Sequence, residues 1–328
     1  MIISKTPLRI SFFGGGTDYP VWFREHGGAV LGTTIDKYVY ITCRYLPPFF
    51  KHKYRIVYSQ IENVKSINEI DHPSVRECIR FLKIHSGLEI HHDSDLPARS
   101  GLGSSSSFTV GLLNCLNLLK GEYSSKEKLA KDAIHVEQNL IGESVGCQDQ
   151  IHAAHGDFNH IEFFNNGNFK VNPVIIKPET TSELQAHCLL FFTGFSRFAS
   201  NIASEQIKKT PEKKKELNFM QDMVIDALKI LNGSNASIED FGKLLHESWK
   251  LKRSLTNKIT NAAINSIYDT AIDTGAIGGK LLGAGGGGFM LFIAKPESHE
   301  LIKQKLKDFL YVPFKFKNTG SSILVNCL

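Results

Sequence analysis

The chain has 328 residues, 42% of them hydrophobic and 22% charged, with 38 basic against 33 acidic side chains for a net charge of +5. That apolar share supports a sizeable core and excludes disordered, collagen-like and disulfide-scaffold chains. So mild a charge calls for neither nucleic acid nor an acidic membrane, and no apolar run reaches the ~18 residues of a membrane helix.

In chain order, residues 2–13 read as a strand cut off by Gly14, Gly15 and Gly16. Residues 36–46 and 54–58, rich in Tyr, Val and Ile, read as further strands. A helix is predicted over 74–86, a short strand over 88–92, and helices over 104–120 and about 124–141. In the first of these two, Phe108, Leu112, Leu116 and Leu119 fall near helical spacing. Strands return near 159–164 and 186–193, followed by helical stretches near 197–232, 237–252 and 260–274. Pro211 is expected to split the first of these. The chain closes with a strand, glycine turn and strand over 280–293, a helix near 298–310 and a last strand pair near 312–326. Helices and strands mix without strict βαβ alternation, which points to an α+β fold. A boundary falls between residues 160 and 185, giving units over 1–175 and 176–328. No Pro/Gly linker marks it, so a wide interface between the two is expected. The six cysteines are scattered, with no CxxC pair. Together with the lack of a basic-then-apolar leader, they lead us to expect free thiols in a reducing cytoplasm.

The strongest local signal is the run Asp95-Leu96-Pro97-Ala98-Arg99-Ser100-Gly101-Leu102-Gly103-Ser104-Ser105-Ser106-Ser107, placed before an amphipathic helix. Glycines let backbone approach a bulky anion, and the unpaired first amides of the helix point at it. Serine hydroxyls add hydrogen bonds or a ligand for Mg²⁺. No GxxxxGK[ST] pattern occurs, so this loop is no Walker A loop.

The Ser-Gly-Leu-Gly-Ser-Ser-Ser run resembles the second motif of the GHMP kinases, the superfamily of galactokinase, homoserine kinase, mevalonate kinase and phosphomevalonate kinase. Thr6-Pro7-Leu8-Arg9-Ile10 leading to Gly14-Gly15-Gly16-Thr17-Asp18 is similar to its first motif. Lys280-Leu281-Leu282-Gly283-Ala284-Gly285-Gly286-Gly287-Gly288 is similar to its third. The three motifs stand in the family's order and span nearly the whole chain. The resemblance implies an α+β GHMP kinase fold in two lobes, the C-terminal one ferredoxin-like, with ATP and substrate between them. It also implies that Pro97, Arg99, Ser100, Gly101, Leu102, Gly103, Ser104, Ser105 and Ser106 hold the nucleotide.

Glu137 and Asp149 would stand ~18 Å apart on one unbroken helix. Gly142 and Gly146 between them allow the chain to fold Asp149 back. Gly146-Cys147-Gln148-Asp149-Gln150 resembles the segment that carries the family's catalytic aspartate. Phosphoryl transfer needs positioned phosphates, a positioned hydroxyl and a carboxylate to take its proton. The resemblance makes Asp149 the base, Arg9 its electrostatic support, and Glu137 with Ser105 or a neighbouring serine the ligands of Mg²⁺.

The first motif ends in Gly-Gly-Gly-Thr-Asp, without the acidic residue that galactokinases use for galactose. The segments around Phe108, Gly156-Asp157-Phe158-Asn159, Thr193-Gly194-Phe195-Ser196-Arg197 and Trp249-Lys250-Leu251-Lys252-Arg253 resemble those of the D-glycero-D-manno-heptose 7-phosphate kinases. That implies transfer to the anomeric (C1) hydroxyl to give a 1,7-bisphosphate. Asp18, Gly15, Gly16, Thr17, Arg197, Gly285 and Gly286 are then the expected substrate contacts, Arg197 facing the sugar phosphate. A kinase for a neutral sugar such as fucose is the nearest alternative, and a silent sugar- and ATP-binding sensor is one of another class. ATP and a sugar phosphate are the expected partners, with no nucleic acid and no membrane, and a homodimer stays open. His152, His155 and His160 lack the further ligands that zinc needs. The lysines over 208–215 read as a solvated helix junction.

Overall fold

The strand that opens the chain is β1, Ile2–Phe13, in a computed structural model that describes residues 1–98, 100–194, 199–233 and 237–327. Helix α1 (Pro20–His26) follows, then β2, which runs unbroken over Gly28–Tyr45. It starts well before the predicted strand because residues 28–35 are buried on both faces and carry no polar alternation to mark them. Strands β3 (Tyr54–Val57) and β4 (Ile61–Val64), helix α2 (Pro73–Phe81) and strand β5 (Leu88–Ser94) come next. Helix α2 stops short of its predicted end, just before Lys83 takes a positive φ of 53°.

Helix α3 (Ser104–Leu119) packs its apolar stripe on β1 and β2. The stretch predicted as one helix over 124–141 changes pitch: α4 covers Lys126–His135, and a wider π turn spans Val136–Ile141. Gly142, at a φ of 80°, ends it. Helix α5 (Gln148–His155) and strands β6 (Phe158–Phe163) and β7 (Phe169–Pro173) complete the first lobe. Among the described residues its sheet has nine strands, in the order β13 (Ser322–Asn326)-β1-β2-β5-β3-β4, with β6 on the early half of β2.

The second lobe contains α6 (Pro178–His187), β8 (Cys188–Phe192), α7 (Ala199–Lys209), α8 (Lys214–Asn232), α9 (Ile238–Leu255), α10 (Ala262–Asp273), β9 (Ala276–Leu281), β10 (Phe289–Ala294), α11 (His299–Lys305) and β11 (Leu310–Tyr311). Pro211 does separate α7 from α8, through a 3₁₀ turn at Thr210–Glu212. The lysines there pair outward, Lys209 with Glu205 and Lys213 with Glu216. The sheet is antiparallel in the order β11-β8-β10-β9. Numbered within the lobe, that order is 4-1-3-2, the ferredoxin-like arrangement.

The last two strands return to the first sheet. β12 (Phe316–Lys317) pairs with β2, and β13 (Ser322–Asn326) pairs with β1. The end of the chain thus belongs to the first sheet, where it covers the β1 edge that would otherwise stand open.

Candidate active site

Arg9 sits in the middle of β1 and is only 3% exposed. Its guanidinium forks onto Asp149, Nε donating to Oδ1 at 2.8 Å and Nη2 to Oδ2 at 2.9 Å. Nη1 donates to the carbonyl of Gly101 at 2.7 Å. One buried cation therefore ties the carboxylate at the start of α5 to the serine-rich loop. Asp18 is held by the amides of Gly16 at 2.9 Å and Gln148 at 3.4 Å. Burial raises its pKa above the ordinary aspartate value, and the charge of Asp149 adds to the rise. A Cβ on Gly146 would strike the Asp18 carboxylate, so only glycine fits there.

The turn between Glu137 and Asp149 is present. Gln150, next to Asp149, donates to Glu137 Oε2, which also accepts from the Ser106 hydroxyl at 2.9 Å. Glu137 lies in the π turn, 1% exposed. Burial pushes its pKa up to about 7. Among the described residues its buried Oε1 has no hydrogen-bond partner at normal geometry, although the Thr109 side chain stands close enough to offset part of the rise.

Gly103 precedes α3 in the left-handed conformation, at a φ of 76°, and no side chain caps that end. A Cβ there would crowd the Arg9 side chain at 3.2 Å and touch Asp149 at 3.5 Å. The first amides of α3, which have no carbonyl one turn earlier, stand beside the Arg9–Asp149 pair. The glycine run that ends the third motif closes on this loop from the other lobe. Gly283 abuts the backbone of Gly101, Gly288 abuts that of Ser100, and the Phe289 amide donates to the Ser100 carbonyl at 3.2 Å. Its small residues serve the approach of two backbones.

One cavity between the lobes gathers these groups. Arg9, Gly15, Gly16, Asp18 and Asp149 line it, together with Gly101, Gly103 and Ser104–Ser106 of the loop. The other expected residues lie outside the lining. Thr17 is fully buried, and its hydroxyl donates to the carbonyls of Gly14 and Ala29. Ser100 and Leu102 are fully buried beneath the loop, and Pro97 is exposed. Gly285 and Gly286 pack on the backbone of Ile259, because the loop needs its glycines there to pass another chain segment. Gly283 and Ala284 meet the cavity instead. Arg99 and Arg197 lie outside the described residues.

Gln148, Gln206, Lys252 and Lys280 also line the cavity, and the resemblance gives none of them a role, although Gln148, Lys252 and Lys280 stand in segments similar to the family's. Lys252 and Lys280 are 5% and 2% exposed. The Lys280 ammonium donates to the Phe12 carbonyl at 2.8 Å, and burial holds its pKa well below the ordinary lysine value. Lys252 carries a legible signal, standing where the apolar stripe of α9 asks for a hydrophobic residue. Gln148 is adjacent to Asp149, and its buried Oε1 has no partner among the described residues. Gln206 carries no sequence signal that we recognise.

His152, Nδ1 2.9 Å from the Gln148 carbonyl, is wholly buried in α5. Among the described residues, no three His, Cys, Asp or Glu side chains form a metal-binding group. No helix there is long and apolar enough to cross a membrane.

Two family models match: the GHMP kinases N terminal domain over residues 73–157 and the GHMP kinases C terminal domain over residues 227–312. The D-glycero-alpha-D-manno-heptose 7-phosphate kinase of Campylobacter jejuni subsp. jejuni serotype O:2 is 34% identical, with 97% of each chain covered. The bifunctional fucokinase/GDP-fucose pyrophosphorylase of Arabidopsis thaliana is 24% identical over 96% of this chain and 32% of its own length. Among solved structures, a D-glycero-D-manno-heptose 1-phosphate kinase from Bacteriodes thetaiotaomicron superposes with a TM-score of 0.80 at 26% identity, covering 100% of both chains.

Proposed function

The chain belongs to the GHMP kinase family, and from that premise we propose that it transfers the γ-phosphoryl group of ATP to the C1 hydroxyl of D-glycero-D-manno-heptose 7-phosphate. The observation that carries this reading is the Arg9–Asp149 fork set against the N-terminus of α3 in one inter-lobe cavity. The full-length similarity to a heptose 7-phosphate kinase supports the choice of acceptor.

In this reading Asp149 accepts the C1 hydroxyl proton, and Arg9 holds both its oxygens so that one lone pair faces the acceptor. Asp18 takes hydrogen bonds from sugar hydroxyls. Gly101, Gly103 and Ser104–Ser106 wrap the phosphates with backbone amides and hydroxyls. The site also fits Mg²⁺, because Glu137 keeps a buried Oε1 that no hydrogen bond fills among the described residues, beside the serine loop. Ser105 or Ser106 and Glu137 would hold the ion, with phosphate and water oxygens completing its shell. When bound, it neutralises phosphate charge. Arg197 is the first candidate for the sugar's own phosphate, since a guanidinium matches phosphate bidentately. The lobes divide near residue 175, with the 316–326 strands returning to the first lobe. Free thiols at all six cysteines suit a reducing cytoplasm.

The test is Mg²⁺-ATP consumption with heptose 7-phosphate beside dephosphorylated heptose, mannose and fucose. We expect turnover confined to the 7-phosphate. Comparable turnover on a neutral sugar removes the acceptor assignment, and ligand binding without turnover on any sugar replaces it with a sensor.

A further inference from the structure

Helix α9 turns Phe241, Leu245, Trp249 and Leu255 into the core, and Lys252 occupies the same stripe. Its ammonium donates to the Gly283 carbonyl and makes no ion pair among the described residues. A cation held out of water without a direct ion pair destabilises the fold, and an apolar side chain would fill that stripe at no such cost. The side chain also lines the cavity between the lobes. Three charged groups of the opposite lobe act on it: Arg9 from β1, Asp18 from the turn after β1, and Asp149 from α5. Lys280 of β9 is its charged neighbour within its own lobe. These groups surround the reacting hydroxyl in the kinase reading, at the opposite end of the acceptor from C7.

We propose that Lys252 is a catalytic residue, the cation from the C-terminal lobe that holds the transferring phosphoryl group. The inference rests on the kinase reading. In that step a bond forms between the acceptor oxygen and the γ-phosphorus. The bond from that phosphorus to the β–γ bridging oxygen breaks, and its electron pair leaves on ADP. The hydroxyl proton goes to Asp149. An ammonium has three hydrogens, and Gly283 takes one, which leaves two for phosphoryl oxygens. The same bond fixes Lys252 against the loop that holds Arg9, because Gly283 abuts Gly101 and the Gly101 carbonyl accepts from Arg9. Charge fixed in advance where the transition state needs it is the arrangement that accelerates transfer.

The test uses whichever acceptor the wild-type enzyme turns over, so a wrong acceptor shows in the wild type alone. Lys252→Met should lower kcat by ~10²–10³-fold, with dissociation constants for ATP and the acceptor kept within about threefold. Lys252→Arg should restore most of that loss. The wild-type kcat/KM should fall on the basic side near pH 8, where Lys252, its pKa pushed down to about 8 by burial and by Arg9, loses its proton. That limb should vanish in Lys252→Arg, whose guanidinium stays charged. Wild-type kcat in Lys252→Met, a loss confined to KM, or an equally inactive Lys252→Arg with weakened ATP binding overturns the proposal. Should Lys252→Met fail to fold, a basic limb that persists in Lys252→Arg overturns it just as well.

Discussion

At the scale of single residues, the Arg9–Asp149 fork decides what the site can do. Two charge-assisted bonds at 2.8 and 2.9 Å leave the carboxylate one orientation. Asp149→Asn keeps the size and one acceptor but removes the basic oxygen. We expect kcat to drop by at least ~10²-fold, the low end for a general base, while ATP affinity stays. Steady-state kinetics beside a nucleotide titration checks this, and an Asn variant with near-wild-type kcat would remove Asp149 from the chemistry. Arg9→Lys keeps the charge but not the fork. It should therefore lose less kcat than Asp149→Asn, and a loss as large would give Arg9 a role beyond orientation. The four cavity glutamine and lysine residues Gln148, Gln206, Lys252 and Lys280 add polar groups to which the motif resemblance gives no role.

At the scale of elements, α5 carries Asp149 at its start and His152 one turn later. Burial, offset in part by the Gln148 carbonyl, holds the His152 pKa at about 4. The native state thus keeps this ring neutral where the unfolded chain, with an ordinary His pKa near 6.5, binds a proton. The unfolded state binds more protons between those values, so this contribution to stability is full above about pH 6.5 and is lost as pH falls toward 4. At pH 5 the loss amounts to ~2 kcal/mol. His152→Asn should therefore gain on the wild type, in denaturant midpoints, between pH 7.5 and pH 5. A constant difference across that range would mean that the ring does not titrate this way. Elements with a clean signal were legible in the sequence: β1 from its run up to three glycines, α3 from its apolar spacing, and the α7–α8 break from Pro211. The early half of β2 and the π turn at Glu137 were not. Burial on both faces erases the period that marks a strand, and a single wider turn leaves a helical pattern unchanged.

At the scale of the whole molecule, the ordered motifs placed the cavity, but contacts far apart in sequence fix the lobes to each other. β13 pairs with β1 across the length of the chain, and β12 pairs with β2. Phe241 of α9 packs edge-on against Phe12 and Phe13 of β1, with ring centroids 5.4 and 5.2 Å apart. Lys280 of β9 donates to the Phe12 carbonyl. Such pairings carry no local pattern, which is why the chain reads as two consecutive units while the strands cross between them. They also predict that the lobes unfold together. The chain has two tryptophans, and each is buried in a different lobe, Trp22 in α1 and Trp249 in α9. By fluorescence, Trp22→Phe reports Trp249 inside the second lobe, and Trp249→Phe reports Trp22 of the first, whose indole N–H donates to Gln221 of α8 at 3.4 Å. If the shared strands and the aromatic contact bind the lobes into one cooperative unit, each variant's fluorescence midpoint in urea matches its own far-UV circular dichroism midpoint. A lobe that loses its fluorescence signal at a lower urea concentration than the backbone signal would show that the crossing strands do not couple it to its neighbour.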